Sequence, residues 1–425
     1  MDRAPRRKTI FDPIHGAIAL QGAALDLANH PAFQRLWGVR QTGFAHLVFP
    51  GANHTRLEHS LGVYGVARQI AESLALEERA AETLCAGALL HDLGHGPFSH
   101  TLEPSMRELL GHGHEGISRA WIVDSERPFP RGPGDDGQGP TIPEVLERQG
   151  LVPREVAELV DPTGTLVRPP LLRPLLHGAI DADRIDYLQR DAHYTGVAHG
   201  VIDGVRLRET IQEYRGRLVF AEKGRTAVEG FLVGRALMYS AVYYHKTVRA
   251  AEVMAQSAVE RLPAYPELGP ALFGLSDGDL LARLGAAGGR ARTLVGDLLG
   301  RRLHKRAWGE RRLEPSTRRR WDRLARAPGL RRDLEDRLSE AIGAPPGSVL
   351  LDLAGVAHRA PADEAWGDVA IREDDRLVYP FRRPGPWTDL ALRPPTLWAV
   401  SAYVPASLAA RAHRRLGPAV RRHLP

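Results

Sequence analysis

The stretch LLHDLGHGPFSH, residues 89–100, constrains this chain more than any other: it ends an apolar run with a histidine and an aspartate, then adds two more histidines. The preceding segment, ALEERAAETLCAGALLHDLGH, keeps apolar residues at helical spacing, and Gly94, Gly96 and Pro97 terminate that helix. His91 and Asp92 therefore stand where a helix meets a loop, a place that can face a cavity. Neither residue is at home in an apolar interior without a partner, and imidazole beside carboxylate suits zinc, iron, manganese or magnesium. By itself, such a pair is more often a capped helix end with a structural hydrogen bond.

Other segments offer companions. NHTRLEHSLGVYGVARQIA puts His59 near the start of a second amphipathic helix, with Arg56 one turn earlier. AIDADRIDYLQRDAHYTGV carries Asp183, Tyr187 and Asp191 at successive four-residue steps on one helical face, with Arg184 beside them and Ile180, Ile185 and Leu188 on another side. A polar stripe of that kind is usually solvated surface, so these positions permit a site without requiring one. The proline-free TAVEGFLVGRALMYSAVYYHKTVRAAEVMAQSAVERL predicts one long helix. On it Arg235, Tyr239, Tyr243 and Lys246 form a cationic and aromatic stripe able to hold a nucleotide, although tyrosines at helical spacing also describe core.

The predicted fold class is mostly α, a helical bundle followed by a smaller α+β C-terminal region. With 425 residues, 43% of them hydrophobic, the chain can bury one large core or two moderate ones. ERPFPRGPGDDGQGPTIP and VRPPLLRP read as loops, and RGRLVFAEKGR and DDRLVYPFRRPG as short edge hairpins. LPAYPELGPALFGLSDGDLL interrupts the helices, dividing a catalytic body at 1–265 from an arginine-rich region at 266–425. No run approaches the roughly 18 uncharged apolar residues of a membrane span. MDRAPRRKTIFDPIHG lacks the apolar centre of a signal peptide, so a cytoplasmic location without membrane contact is expected. The single Cys85 excludes an intrachain disulfide and reads as a small buried hydrophobe. A formal charge of +6 and a pI near 9.6 favour anionic company without choosing among nucleotides, nucleic acid and acidic membrane.

The order His59, His91-Asp92, Asp183 resembles the metal-binding H…HD…D signature of the HD-domain phosphohydrolase superfamily. FQRLWGVRQTGFAHLVFPGANHTRLEHSLGV, LLHDLGHGPFSHTLE, HGHEGIS, DADRIDYLQRDAHYTG and VYYHKTVRAAE look like its branch of deoxynucleoside triphosphate triphosphohydrolases, which includes the vertebrate antiviral dNTPase and bacterial dGTPases. The resemblance covers about residues 8–260, with an HD core at about 50–195. It implies that His59, His91, Asp92 and Asp183 bind a divalent metal (manganese, iron, magnesium or zinc), which lowers the pKa of water.

The resemblance further makes His100 the general acid on the leaving 5′ oxygen, a task that suits an imidazole near neutral pH. Glu103, where aspartate is usual, orients it, and His95 and His114 contact phosphate. Arg56, Arg184, Arg235 and Lys246 match positions that meet phosphate oxygens, and Gln41, Tyr187 and Asp191 match residues that hold the sugar. Two positions depart from the pattern: Arg184 replaces a lysine, and Thr42 replaces a leucine, which puts discrimination against ribose in doubt. The implied reaction converts a dNTP to deoxynucleoside and inorganic triphosphate. Alternatives are a nucleotide phosphatase, phosphodiesterase or nuclease using the same metal, and a nucleic-acid-binding protein whose pocket senses nucleotides.

After 265 the resemblance is faint. GRRLHKRAWGERR and STRRRWDRLARAPGLRRDLEDR interleave arginine with Trp308 and Trp321, a composition that fits single-stranded nucleic acid or a solvated, salt-bridged helix face. Arg301 and Lys305 fall where relatives carry a nucleotide-binding regulatory interface, implying a nucleotide effector and a homo-oligomer.

Overall fold

A computed structural model describes residues 7–124, 139–162, 170–262, 265, 269–357, 365–382 and 398–425. The mostly α class holds: helices form the body, and three small sheets lie beside them. Three helices set the frame of the site. Arg56–Ser73 opens on a capping box, Thr55 accepting from the Glu58 amide while Glu58 Oε2 accepts from the Thr55 amide at 2.6 Å. Glu78–Leu90 runs into His91, and Ala182–Thr195 is capped by Asp181, which accepts from the Arg184 amide at 2.8 Å. Arg56–Ser73 packs against both of the others.

The long helix expected over 226–262 is instead broken. Arg225–Met238 passes into a π turn at Tyr239–Tyr243, where the Tyr244 amide donates to Tyr239 O at 3.0 Å. A new helix, Lys246–Glu260, restarts after His245, whose backbone is extended and whose Nδ1 accepts from the Thr247 amide at 3.2 Å. The wider turn and the cap end the stripe at Tyr243, and Lys246 is left exposed.

The two expected hairpins both form strands and join. β3 (Ile211–Tyr214) and β4 (Arg217–Ala221) pair antiparallel, as do β7 (Ile371–Glu373) and β8 (Arg376–Val378), and β4 pairs parallel with β7 to give one sheet, β3-β4-β7-β8. An N-terminal hairpin of β1 (Arg7–Asp12) and β2 (Gly16–Gln21) was not legible in the sequence. Nor was the sheet β5-β9-β6, built from Lys305–Glu310, Val400–Val404 and Leu350–Asp352. Its β5 carries an irregularity between Arg306 and Trp308 that hides the alternation. The predicted loop at 126–143 lies mostly outside the described residues, as does the start of VRPPLLRP; from Leu172 that segment is helical to His177.

One apolar core takes in buried residues from Ile18 to Leu303, including the helices Asp277–Ala286 and Gly289–Leu299, and also Leu350, Trp366, Val369, Phe381 and Tyr403; a second draws on residues from Ala307 to Leu424. The first core therefore spans the interruption at 262–281. Cys85 packs against the first core, and burial pushes its thiol up to about 12, which leaves it inert at neutral pH.

His304, just after Leu303 of the first core, is buried, with neither ring nitrogen hydrogen-bonded among the described residues. Burial, reinforced by Arg290, lowers its pKa from 6.5 to about 4. The unfolded chain therefore takes up this proton before the folded one, and stability present above pH 6.5 is lost as pH falls towards 4, by about 3 kcal/mol in all. His304→Leu should remove that loss. The expected result is a urea midpoint that falls less between neutral and acid pH than in the parent chain; equal falls would deny the assignment.

Candidate active site

The four expected ligands come from the three framing helices. His59 lies in the first turn of Arg56–Ser73, His91 and Asp92 follow Glu78–Leu90, and Asp183 lies in the first turn of Ala182–Thr195. Ligand atoms of His59, His91 and Asp183 all fall within 4.8 Å of one another. His59 Nε2 is 3.0 Å from Asp183 Oδ1 and 3.6 Å from Asp92 Oδ2; His91 Nε2 is 3.3 Å from Asp92 Oδ1 and 3.7 Å from Asp183 Oδ1.

The donor set suits a divalent cation. His91 Nδ1 donates to Ala88 O at 2.8 Å, so its buried Nε2, which lacks a hydrogen-bond partner among the described residues, presents a lone pair. His59 Nδ1 is likewise engaged, 2.7 Å from Asp186 Oδ2, which turns Nε2 inward. Burial lowers the pKa of His59, but Asp183, Asp186 and Asp92 outweigh it and raise the value to about 10. Asp92 is pushed up by burial yet held well below the usual carboxylate range by Arg56, His91 and His95. These carboxylates thus concentrate enough negative charge on one point to retain a proton there, and a cation can replace that proton.

Beside this point stands a second group of imidazoles. Gly94 lets the helix His114–Val123 come close, because a Cβ there would overlap His114 O and the Ser118 amide. Ser118 Oγ fixes the approach, accepting from the Gly94 amide and donating to His91 O, both at 2.8 Å. The rings of His95 and His114 then stack at 3.8 Å, and His100 meets His95 edge-on at 4.8 Å. Glu103 Oε2 accepts from His114 Nδ1 at 2.9 Å and His100 Nδ1 at 3.1 Å, and Oε1 accepts from Arg107 at 2.8 Å.

Burial would raise the pKa of Glu103, but His114 and His100 hold it far below its ordinary value. His114, lowered by burial, is raised overall by Glu103, whereas burial, Arg56 and His114 keep His95 well below the histidine range. The group therefore pairs a proton-rich imidazole with a proton-poor one.

A cavity of about 380 Å³ opens in front of both groups. Gln41, Arg56, His91, Asp92, His95, His100, His114 and Asp183 line it, as do Arg184, Tyr187, Asp191, Arg235, Tyr239 and Tyr243. His59 and Glu103 stand behind that lining, and Lys246 is not part of it. Arg56 is occupied below the site, with Nη1 2.5 Å from Asp92 Oδ2 and Nε donating to Ser99 Oγ at 2.7 Å. Arg184 pairs with Asp181 at 2.6 Å and donates to Gly178 O. Arg235 lies over the Tyr239 ring at 4.6 Å and the Trp366 ring at 5.2 Å. Asp191 uses one oxygen for His54 Nε2 at 2.7 Å and the other for the Tyr243 hydroxyl at 2.6 Å. Gln41 Oε1 and Thr42 Oγ1 are buried without a hydrogen-bond partner among the described residues.

Two cavity residues lie within the quoted VYYHKTVRAAE but were given no role there. Arg249 and Glu252 line the cavity, and Arg249 reaches Asp352 of β6 at 2.7 Å and 3.1 Å. Burial raises the Glu252 carboxyl to about 7. The expectation of stacking by Trp321 fails: the ring is wholly buried in the second core and packs 6.2 Å from Trp308. Arg301 donates to Leu47 O at 2.9 Å, and Lys305 is exposed at the start of β5. Among the described residues no helix is long and apolar enough to cross a membrane.

Comparison with known proteins gives two family matches: the HD domain over residues 56–191 and the HD associated region over 202–366. An uncharacterized protein of Methanocaldococcus jannaschii is 38% identical over 59% of this chain and 49% of its own length. Uncharacterized protein YwfO of Bacillus subtilis is 35% identical over 60% of this chain and 55% of its own. Human deoxynucleoside triphosphate triphosphohydrolase SAMHD1 is 30% identical over 61% and 45%. The chain thus spans about half the length of these curated relatives. Among solved structures, a hypothetical protein from Aquifex aeolicus matches with a TM-score of 0.72 at 27% identity, covering 96% of this chain and 99% of the other.

Proposed function

Since this chain belongs to the HD-domain superfamily, we propose that it is a metal-dependent phosphohydrolase acting on deoxynucleoside triphosphates, with deoxynucleoside and inorganic triphosphate as products. The observation that carries the reading is the meeting of His59, His91, Asp92 and Asp183 at the wall of a cavity that also holds arginines, tyrosines and three further histidines. When bound, a divalent cation supplies charge for phosphate oxygens and water of lowered pKa.

The chain's own side chains do the rest. Arg235 and Arg184 offset the charge of the polyphosphate, and Tyr187, Tyr239 and Tyr243 give the nucleoside an aromatic wall. Arg56 steadies Asp92 rather than reaching outward, and His95 and His114 face phosphate. His100 donates its proton to the departing 5′ oxygen, with Glu103 fixing its Nδ1 so that Nε2 is the working atom. The sugar rests against Gln41, Thr42 and Asp191.

Product analysis tests this reading. With manganese and a panel of dNTPs, NTPs and single-stranded DNA, anion-exchange chromatography should recover inorganic triphosphate and deoxynucleoside from at least one dNTP. Orthophosphate as the first product would replace the reading with a nucleotide phosphatase, cleaved DNA with a nuclease. Nucleotide binding without turnover would leave a sensor.

A further inference from the structure

Asp186 lies outside the cavity, fully buried, and its carboxylate receives four hydrogen bonds. His59 Nδ1 meets Oδ2 at 2.7 Å, His15 Nε2 meets Oδ1 at 2.6 Å, and Arg190 gives Nε to Oδ2 and Nη2 to Oδ1, each at 2.9 Å. Arg190, also wholly buried, sets Nη1 2.8 Å from Asp12 Oδ2. Asp12 Oδ1 accepts from the amides of Ile14 and His15 at 2.9 Å each, which fixes the turn between β1 and β2 that carries His15. Gly62, one turn beyond His59, makes room: a Cβ there would overlap Asp186 Oδ1 and Arg190 Nη2.

We propose that this N-terminal hairpin is a working part of the metal centre. His15 and Arg190 hold Asp186, and Asp186 holds His59 with Nδ1 protonated and Nε2 turned to the cation. The inference rests on the metal-centre reading of His59, and it makes His15, Asp186 and Arg190 positioning residues, since none of them lines the cavity. The geometry excludes Asp186 as a ligand itself, because both its oxygens are occupied and Arg190 already balances its charge. A carboxylate so clamped can accept only along fixed directions, which selects one tautomer and one ring angle for His59. The same clamp explains why a segment more than 40 residues ahead of His59 folds against its back: among the described residues, the turn supplies the one bond to Asp186 that comes from neither helix.

The experiment uses the full chain, cobalt(II) as probe, calorimetric titration and the visible cobalt spectrum, with urea unfolding as a control for folding. Asp186→Asn should weaken cobalt binding by about 10- to 100-fold and shift the visible bands. His15→Phe should weaken it by a smaller factor. His15→Gln, which keeps an N–H for Asp186, should recover most of the affinity, a distinction that a purely structural role would not produce. Parental affinity and spectrum in folded Asp186→Asn, or equal behaviour of His15→Gln and His15→Phe, would overturn the inference while leaving the metal reading intact. If the parent binds no cobalt, or binds it equally well as His59→Ala, the metal reading itself falls and takes this inference with it.

Discussion

Asp183→Ala is expected to cost about 10⁴-fold or more in turnover and to leave the purified chain without its divalent metal, because Lewis-acid stabilisation worth several kcal/mol disappears with the ion. The choice of this ligand over Asp92 is physical. Asp92 is buried and bound to the guanidinium of Arg56, so its removal would strand a buried cation and confound activity with folding. Asp183 is about one third exposed, sits in a first helical turn, and faces His59 and His91 from the cavity side. It also lies near Asp181, whose buried carboxyl is raised to about 7 by desolvation with Asp183 contributing, so losing Asp183 relieves a like-charge contact. Against that relief stands the loss of the contacts to His59 and His91, which hold the Asp183 carboxyl far below the usual range, so folding of Asp183→Ala is read separately by urea unfolding in metal-free buffer. Elemental analysis, turnover with manganese and urea unfolding decide together. Retained metal with retained turnover would end the proposed chemistry.

The four proposed ligands were legible because each ends or begins a helix whose apolar period is clear, and because their order along the chain resembles a known signature. What escaped the sequence has three causes. Periodicity counts turns but does not register one inserted residue: Arg235, Tyr239, Tyr243 and Lys246 read as a continuous face, while the chain makes a π turn and restarts at Lys246. Lys246 accordingly opens a new helix and lies outside the cavity lining. Contacts between distant segments leave no local trace either. His15 and Asp186 are 171 positions apart, and Arg249 and Asp352 are 103 apart, so nothing near either member hints at the other. Trp321 misled for a third reason: arginines flank it on the helix Pro315–Arg326, but that helix exposes the arginines and buries the indole. Composition records which residues are neighbours along the chain, and burial follows the face.

His100→Ala should lower turnover by about 10²- to 10³-fold with metal content and stability unchanged. The side chain is 56% exposed and makes its polar contact to Glu103 at 3.1 Å, so deleting it removes little packing. A fall in activity could still reflect poorer binding, and the leaving group separates the two. Protonation matters only when the departing oxygen is a poor leaving group, as the 5′ alkoxide of a nucleoside is; a nitrophenolate departs without help. With a nitrophenyl ester in place of the nucleoside, the deficit of His100→Ala should shrink to a few-fold, whereas a binding role would preserve it. Glu103→Gln gives a second signature. Its carboxylate raises the proton affinity of His114, against the lowering effect of burial, so a neutral amide lets the imidazole group lose its proton at lower pH. The ring-proton titration of His114, followed by NMR, should then move to lower pH, and an unmoved titration would show that Glu103 does not hold that proton.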